Sequence, residues 1–380
     1  MNRFADNWAA QRNAAAFLAL ADGTVMRGWS CGAAVDRLGE VVFNTGMTGT
    51  EEILTDPSYA GQIVTLTMPE IGITGFNSED FESGTIHAAG LLVREMNEPS
   101  NWRSEESLTE ALRRHDVPAL AGLDTRALTL KLREGGTQKA FLCTTGDVTP
   151  EEAVAKAKAW EGLDGQDYAS KVSTKEPYDF ASDVGVDAPL VAVLDYGVKR
   201  NILRQLAGQG FRLKVLPAKT TAEEVLALKP AGVLLSNGPA DPAALPYAAE
   251  TIRGLLGKVP LMGICLGHQL LGLALGGTTC RLKFGHHGCN HPVMDLRTQA
   301  VEITSQNHNY MLDADSLNSD AVEITHLSLN DQTVEGLAAK RVPAFSLQYH
   351  PEAAPGPHDA CAAFRRFKEL ISRKGAKTQS

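Results

Sequence analysis

The sequence predicts an α/β protein in which an N-terminal mixed α+β domain precedes a doubly wound, mostly parallel sheet. From residue 190 onward, short and continuous apolar runs alternate with amphipathic segments of helical spacing. Continuous apolar strands separated by helices are typical of a buried parallel sheet that helices cover on both faces. Before residue 160 the chain instead shows short strand-like runs, many turns and only a few helical segments.

The second half contains successive strand–helix repeats. The strands are predicted at LVAVLDY, FRLKVLP, AGVLLSNG and PLMGIC, and the helices that follow them at KRNILRQLAGQG, TAEEVLALKP, PYAAETIRGLLGK and LGHQLLGLALGG. Right-handed crossovers bring the carboxyl ends of such strands to one edge of the sheet. Functional residues are therefore expected at that edge.

The first half predicts a hairpin, further short strands and three helices. The hairpin is FLALADGTVMRG, the strands are EVVFNTG, QIVTLTMPE and AAGLLVREM, and the helices are SEESLTEALRRH, DTRALTLKLREGG and TPEEAVAKAKAW. In the third helix, Thr149 and Glu152 form a candidate capping box around Pro150. The irregular polar stretch 161–188 is the predicted linker between domains 1–160 and 189–380.

Composition excludes several classes of protein. The chain has 380 residues, a formal net charge of −9 and 43% hydrophobic residues, which suits two cores and argues against nucleic acid or an anionic membrane as a partner. The longest apolar stretch, 261–275, contains His268, Gln269 and three glycines, so it cannot span a bilayer. Six cysteines without paired spacing are typical of reduced thiols, and a cytoplasmic location is expected.

Cys265 lies between Gly263 and Gly267, where the strand PLMGIC meets the next helix. A strand that turns abruptly into a helix strains the residue at the tip, and small neighbours permit this, as in the nucleophile elbow of serine hydrolases. The helix that begins at Leu266 directs its positive end at the sulfur and favours the thiolate. These features favour a catalytic nucleophile over a buried structural cysteine.

Candidates for the other catalytic roles follow two further strands of the same domain. His350 comes after the apolar run AFSLQY and is the candidate acid and base, and Glu352 is placed to orient its ring. The backbone N–H groups of Leu266 and Gly238 are candidate donors to an oxyanion. A plain Gly-Pro turn at Gly238 and a chance His-x-Glu triplet are the alternatives.

A cluster of possible metal ligands occurs in FGHHGCNHPV. His286, His287, Cys289 and His291 lie close together, but their spacing matches no standard zinc pattern. No metal site is therefore predicted.

The motifs GICLGHQ, LLSNGPADP and YHPE together resemble the class I glutamine amidotransferases. The longer block FNTGMTGTEEILTDPSYAGQIVTLTMPEIG, with DTRALTLKLRE, LDYGVKRNILR and TSQNHNY, resembles more narrowly the small-subunit family of carbamoyl-phosphate synthetase. The resemblance runs from about Ala15 and leaves the N-terminal extension and the C-terminal tail unmatched. It implies the class I amidotransferase type of parallel sheet.

The resemblance also implies a reaction and a partner. Glutamine would be hydrolysed to glutamate and ammonia through a thioester on Cys265, and the ammonia would pass to a large synthetase subunit. That partner, and not this chain, would use ATP and Mg²⁺ to make carbamoyl phosphate for pyrimidine and arginine synthesis. No cofactor is expected in this chain, and a heterodimer is expected.

Carried over residue by residue, the family's glutamine site falls on eight positions of this chain. They are Ser58, Gly238, Ala240, Leu266, Gln269, Asn307, Asn309 and Tyr310. Ser58 belongs to the first domain, so the resemblance implies a site at the domain interface.

Several positions depart from the family pattern. Ala240, Asn309, Tyr349 and Cys289 stand where the family usually has glycine. If Ala240 needs a positive φ, its side chain strains the loop. None of these departures removes a candidate catalytic residue.

Three other functions stay open at this point. They are a glutaminase for a different ammonia acceptor, a cysteine hydrolase that acts alone on γ-glutamyl bonds, and a docking subunit without activity. The first-half block disfavours the first of these, and the presence of Cys265, His350 and Glu352 argues against the last.

Overall fold

The computed structural model describes residues 15–181, 183–239 and 241–377. The chain divides into two compact units. The first runs to Leu163 and includes the segment Lys283–His287, and the second comprises Asp164–Leu282 and the chain from Gly288 onward.

The first unit is built around a closed seven-stranded barrel. Its strands are β1 Ala15–Leu20, β2 Val25–Ser30, β3 Arg37–Asn44, β4 Gln62–Leu66, β5 Glu70–Ile71, β6 Gly90–Leu92, β7 Glu95–Met96, β8 Ala119–Ala121 and β9 Gln138–Cys143. The order around the barrel is β1-β2-β8-β6-β4-β3-β9, and β5 pairs separately with β7. The helices are α1 Thr50–Thr55, α2 Leu108–Arg114, α3 Thr125–Gly135 and α4 Pro150–Ala159.

Local sequence signals in the first unit are confirmed. β1 and β2 form the predicted antiparallel hairpin. Thr149 and Glu152 form both bonds of the predicted capping box at the start of α4. The closure of the barrel was not predicted, because β9 pairs with both β1 and β3, far away in sequence.

The second unit contains a ten-stranded sheet. Its strands are β10 Tyr178–Asp179, β11 Leu190–Asp195, β12 Arg212–Pro217, β13 Gly232–Leu235, β14 Leu261–Ile264, β15 Thr279–Asp295, β16 Val301–Leu312, β17 Val322–Ser328, β18 Val334–Ala339 and β19 Ala344–Leu347. The helices are α5 Ala169–Val172, α6 Arg200–Gly208, α7 Ala222–Ala227, α8 Pro246–Leu255, α9 Leu266–Ala274 and α10 Ala362–Lys377.

The predicted parallel sheet forms the centre of this unit. The sheet order is β10-β12-β11-β13-β14-β19-β18-β17-β15-β16, and the pairs from β12 to β19 are parallel. The strands β13 and β14 are buried along their whole length, which explains their continuous apolar sequence. The fold class predicted from the sequence is therefore confirmed.

Two features of the second unit go beyond the sequence expectation. The strands β15, β17 and β18 extend the sheet with antiparallel pairs, in a region for which no elements were predicted. The stretch 161–188, predicted as a linker, contains α5 and β10, and Tyr178 of β10 pairs with Val215. The two units divide between Leu163 and Asp164, and the domain limits drawn from the sequence stay a prediction.

The helices were compared with the length and composition of membrane-spanning segments. In the described part of the chain, none of them combines the length and the apolar composition that a crossing requires.

Candidate active site

Cys265 occupies a strained turn between β14 and α9. Its φ is 52° and its ψ is −105°, a conformation that residues with a side chain rarely adopt. A Cβ on Gly263 would lie 2.5 Å from Gly267 O, and a Cβ on Gly267 would lie 2.1 Å from Leu235 O. The strained turn expected from the sequence is present, and close backbone packing makes both of its glycines necessary.

The carboxyl edge of the sheet brings the candidate nucleophile and base together. Cys265 N donates to Leu347 O, the last residue of β19, at 2.9 Å, and His350 follows three residues later. β16 runs beside both residues, because Cys265 Sγ lies 3.5 Å from Asn307 O and His350 N donates to Ser305 O at 2.9 Å. Three separate segments thus fix the positions of the sulfur and the imidazole.

His350 and Glu352 form a buried pair. His350 Nδ1 lies 2.7 Å from Glu352 Oε1, and the two residues are 3% and 0% exposed. His350 Nε2 has no hydrogen-bond partner among the described residues, and the imidazole interacts electrostatically with Cys265. The carboxylate therefore holds Nδ1 and leaves Nε2 for the nucleophile, which is the arrangement of a catalytic triad.

Lys199 extends this arrangement and was missed by the sequence analysis. Its side chain is 2% exposed, and its Nζ donates to Glu352 Oε1 at 2.8 Å and to Ala353 O at 2.6 Å. Asn201 Nδ2 donates to Glu352 O at 2.6 Å and also holds this segment. A signal was available, because Lys199 follows the apolar strand β11 at the sheet edge where ligands are expected.

The buried charges shift one another's pKa values. Burial alone would raise the pKa of Glu352, but Lys199 and His350 lower it to about 2. Burial alone would lower the pKa of His350, but Glu352 and Cys265 raise it to about 10. An imidazolium is thus stabilised beside the sulfur, which is the charge state that a cysteine nucleophile requires.

The two candidate oxyanion donors lie on adjoining turns. Leu266 is the first residue of α9, and a Cβ on Gly238 would lie 2.1 Å from Tyr196 O and 3.0 Å from Leu266 Cδ2. Only glycine therefore fits at position 238. No backbone acceptor is found for either N–H within the ranges that the structure describes. Their role as oxyanion donors stays a prediction.

Five of the residues predicted for the glutamine site lie on two elements of the second unit, α9 (Leu266, Gln269) and β16 (Asn307, Asn309, Tyr310). Gln269 Nε2 donates to Tyr310 O at 2.7 Å and to Gln348 Oε1 at 3.0 Å. The Tyr310 hydroxyl donates to Asp164. The side-chain amide of Gln269 is therefore held by Tyr310 and Gln348. Through the bond to Tyr310, Gln269 holds β16 beside the nucleophile.

Asn307 and Asn309 share one face of β16. They are two residues apart in a strand, and both are 7% exposed. Asn309 does not have a positive φ, so the asparagine costs no backbone strain where the family usually has glycine. Tyr349, another departure, is buried, and its hydroxyl donates to Glu302 at 3.4 Å.

Of the two remaining residues of the predicted glutamine site, one belongs to the first unit and the other lies outside the described residues. Ser58 lies in the first unit, in the 3₁₀ turn Pro57–Tyr59, where it is buried and its N–H donates to Asp56 Oδ1 at 2.9 Å. Ala240 lies outside the described residues. The binding roles of both residues stay predictions.

Comparison with known proteins agrees with this geometry. Residues 192–370 match the family model described as glutamine amidotransferase class-I, and residues 18–142 match the carbamoyl-phosphate synthase small chain, CPSase domain. The carbamoyl phosphate synthase small chain of Syntrophotalea carbinolica is 49% identical over 94% of this chain and 98% of its own length. That of Vibrio cholerae is 51% identical over 94% of this chain and 98% of its own length.

The chain belongs to the carbamoyl-phosphate synthase small chain family. The resemblance expected from the sequence motifs is thereby confirmed. The small chain of Bacillus caldolyticus, 51% identical over 93% of this chain and 96% of its own length, extends the match to a further member of the family. A solved glutamine amidotransferase from Thermotoga maritima covers 50% of this chain and 86% of its own at 20% identity and a TM-score of 0.36, too low to carry an argument.

Proposed function

We propose that this chain is the glutamine-hydrolysing subunit of a carbamoyl-phosphate synthetase. The observation that carries the proposal is the buried series Cys265, His350, Glu352 and Lys199 at the carboxyl edge of the parallel sheet. Membership of the small-chain family supports the same reaction, and it disfavours a hydrolase that acts alone or a docking subunit without activity.

The first half of the reaction forms a thioester. The Cys265 thiolate attacks the carboxamide carbon of glutamine, and the N–H groups of Leu266 and Gly238 stabilise the oxyanion. The imidazolium of His350 donates its Nε2 proton to the leaving nitrogen as the C–N bond breaks, which releases ammonia. Glu352 stabilises the imidazolium before this step and orients the neutral ring after it.

The second half of the reaction hydrolyses the thioester. Neutral His350 takes a proton from a water molecule that attacks the thioester carbon. A second oxyanion forms at the same donors, the C–S bond breaks, and glutamate leaves. The thiolate and the imidazolium are restored together, so the chain returns to its starting charge state.

The proposed function requires a partner that consumes the ammonia. The partner proposed is the large synthetase chain, which would use ATP and Mg²⁺ to activate bicarbonate, with the two chains forming a heterodimer. The product would serve arginine and pyrimidine synthesis, and a cytoplasmic location suits these pathways. The chain itself needs no cofactor for the steps above, since each uses only its side chains, its backbone and water.

Glutamine-dependent synthesis of carbamoyl phosphate tests this function. We expect the purified chain to hydrolyse glutamine slowly alone, and faster with the synthetase chain, ATP and bicarbonate. Cys265→Ser should abolish glutamine-dependent synthesis but leave synthesis from added ammonia intact, because ammonia bypasses the thioester. Cys280→Ser is the matched control, since Cys280 lies in β15 and has no part in the proposed steps.

Two results would contradict the proposal. One is a Cys265→Ser variant that keeps full glutaminase activity. The other is a wild-type chain that hydrolyses glutamine yet never supports carbamoyl phosphate synthesis with its synthetase chain. The second result would favour a hydrolase that acts alone.

A further inference from the structure

A second buried glutamine lies beside Gln269 of α9. Gln348 follows β19 directly and is 0% exposed. Its Oε1 accepts from Gln269 Nε2 at 3.0 Å, and its backbone N–H donates to Glu335 O at 2.9 Å. The reaction steps proposed above give Gln348 no part, although it lies two positions before His350 in the chain.

The side-chain amide of Gln348 has a hydrogen-bond partner at one end only. Its Nε2 is buried and has no hydrogen-bond partner among the residues that the structure describes. A buried donor without an acceptor is unfavourable, so this donor gives no reason for an amide at the position. A flipped amide would place its Nε2 against Gln269 Nε2, and two donors would then face each other. The acceptor oxygen is therefore the part of the side chain that the fold uses.

The two acceptors around Gln269 determine which end of its amide is left for a ligand. Nε2 carries two hydrogens, and both are used, one by Tyr310 O at 2.7 Å and one by Gln348 Oε1 at 3.0 Å. Gln269 Oε1 accepts no hydrogen bond from any described residue. The amide of Gln269 can therefore offer a ligand only an acceptor.

Gln269 lies one helical turn beyond the nucleophile. Its backbone N–H donates to Cys265 O at 3.2 Å in the first turn of α9, and four residues of helix rise about 6 Å. In glutamine, four bonds separate the carboxamide carbon from the α-nitrogen, which is about 5 Å in an extended chain. With the carboxamide at Cys265, the α-ammonium group can therefore reach Gln269 Oε1. An ammonium group has only donors, so it matches an amide that offers only an acceptor.

We propose that Gln348 is a positioning residue for the recognition of glutamine. By accepting from Gln269 Nε2, it keeps Gln269 Oε1 directed at the α-ammonium group of the substrate. The inference rests on the function proposed above, and it makes the site select an amide that carries an α-ammonium group over one that lacks it. Gln348 does not contact the substrate in this arrangement, so it acts through Gln269.

Steady-state kinetics of the full chain with L-glutamine test the proposal, with glutaramate as a second ligand. Glutaramate is glutamine with a hydrogen atom in place of the α-ammonium group, and its Ki against glutamine is measured. Gln348→Met keeps a similar volume without the acceptor. It should raise the KM for glutamine about tenfold, while kcat and the Ki of glutaramate change by less than about twofold. Gln348→Glu keeps an acceptor oxygen, and its KM should stay within about threefold of the wild type.

A double-mutant cycle separates an effect through Gln269 from a loss of packing. Gln269→Leu should raise the KM for glutamine, and adding Gln348→Met to it should have no further effect, because the two side chains act as a unit. Gln348→Leu, a second apolar variant, should behave as Gln348→Met does. Gln209→Met is the control and should have the wild-type KM, since the Gln209 side chain, just after α6, makes no hydrogen bond with a described residue.

Three results would overturn the proposal. They are a wild-type KM in Gln348→Met, an equal loss of affinity for glutamine and glutaramate in that variant, and independent effects of the two substitutions in the cycle. Each of them leaves the proposed function standing, because each requires a wild-type chain that hydrolyses glutamine. A wild-type chain without glutaminase activity would contradict the proposed function and this inference together.

Discussion

Charges of alternating sign run through the active site at the residue scale. Lys199, Glu352 and His350 follow one another toward Cys265, and each of the three is buried beside a group of opposite charge. Taking single ions out of water is costly, and good pairing offsets that cost only when each neighbour is present. Replacing one of these residues should therefore change the protonation state of its neighbour, in addition to removing a hydrogen bond.

The pH dependence of glutamine hydrolysis tests this coupling. Because the pKa of His350 is raised to about 10, the imidazolium persists through neutral pH, and kcat/KM should fall only as the pH rises toward 10. In Glu352→Gln the largest interaction that raises this pKa is lost, so the alkaline limb should move down by about two pH units. The measurement is kcat/KM for glutamine from pH 6 to 10.5.

A conservative variant gives the control for this measurement. Glu302→Gln removes a carboxylate that bonds Tyr349 and not the imidazole, so its alkaline limb should match the wild type. An alkaline limb that is the same in Glu352→Gln and in the wild type would mean that Glu352 does not set the charge of His350.

At the scale of elements, the site depends on how closely α9 approaches β13. Gly267, in the first turn of α9, packs against the carbonyl of Leu235 at the end of β13, and its N–H donates to Ser236 O at 3.0 Å. This contact holds the start of the helix under Cys265. The position of the sulfur and of the Leu266 N–H thus follows from a helix–strand contact that admits no side chain.

Gly267→Ala should therefore damage both stability and activity. The new Cβ would lie 2.1 Å from Leu235 O, and relief of such a clash costs about 1–3 kcal/mol of unfolding free energy. Because the helix must shift, we expect kcat for glutamine hydrolysis to fall more than about tenfold. Urea unfolding and steady-state kinetics measure the two effects.

Gly208→Ala is the matched glycine control. Gly208 lies at the end of α6, and a Cβ there would meet no atom within 4 Å. Alanine should leave activity unchanged and stabilise the helix by about 0.5–1 kcal/mol. Equal losses in the two variants would contradict the packing argument.

The sequence predicted the elements whose pattern is local and missed those that depend on distant pairing. The strands β11 to β14 and their helices were predicted because each has a continuous apolar run or a helical period. β15 to β18 were missed, since their residues mix polar and apolar types, as in the half-buried pattern of β15. Lys199 was missed because its partner Glu352 is 153 residues away in the chain.

At the scale of the whole molecule, the match to the small-chain family spans both units. The amidotransferase match lies at residues 192–370 and the small-chain match at residues 18–142. The chemistry described here uses groups of the second unit alone. Ser58 remains the first unit's one predicted contribution to glutamine binding.

The central claim is that Cys265 carries a γ-glutamyl thioester during turnover, and mass spectrometry of the acid-quenched chain tests it most directly. We expect a glutamyl adduct on the peptide that contains Cys265 after mixing with glutamine, absent in Cys265→Ser and retained in Cys280→Ser. Steady turnover of glutamine with no adduct, or with the adduct on a different cysteine, would contradict the account.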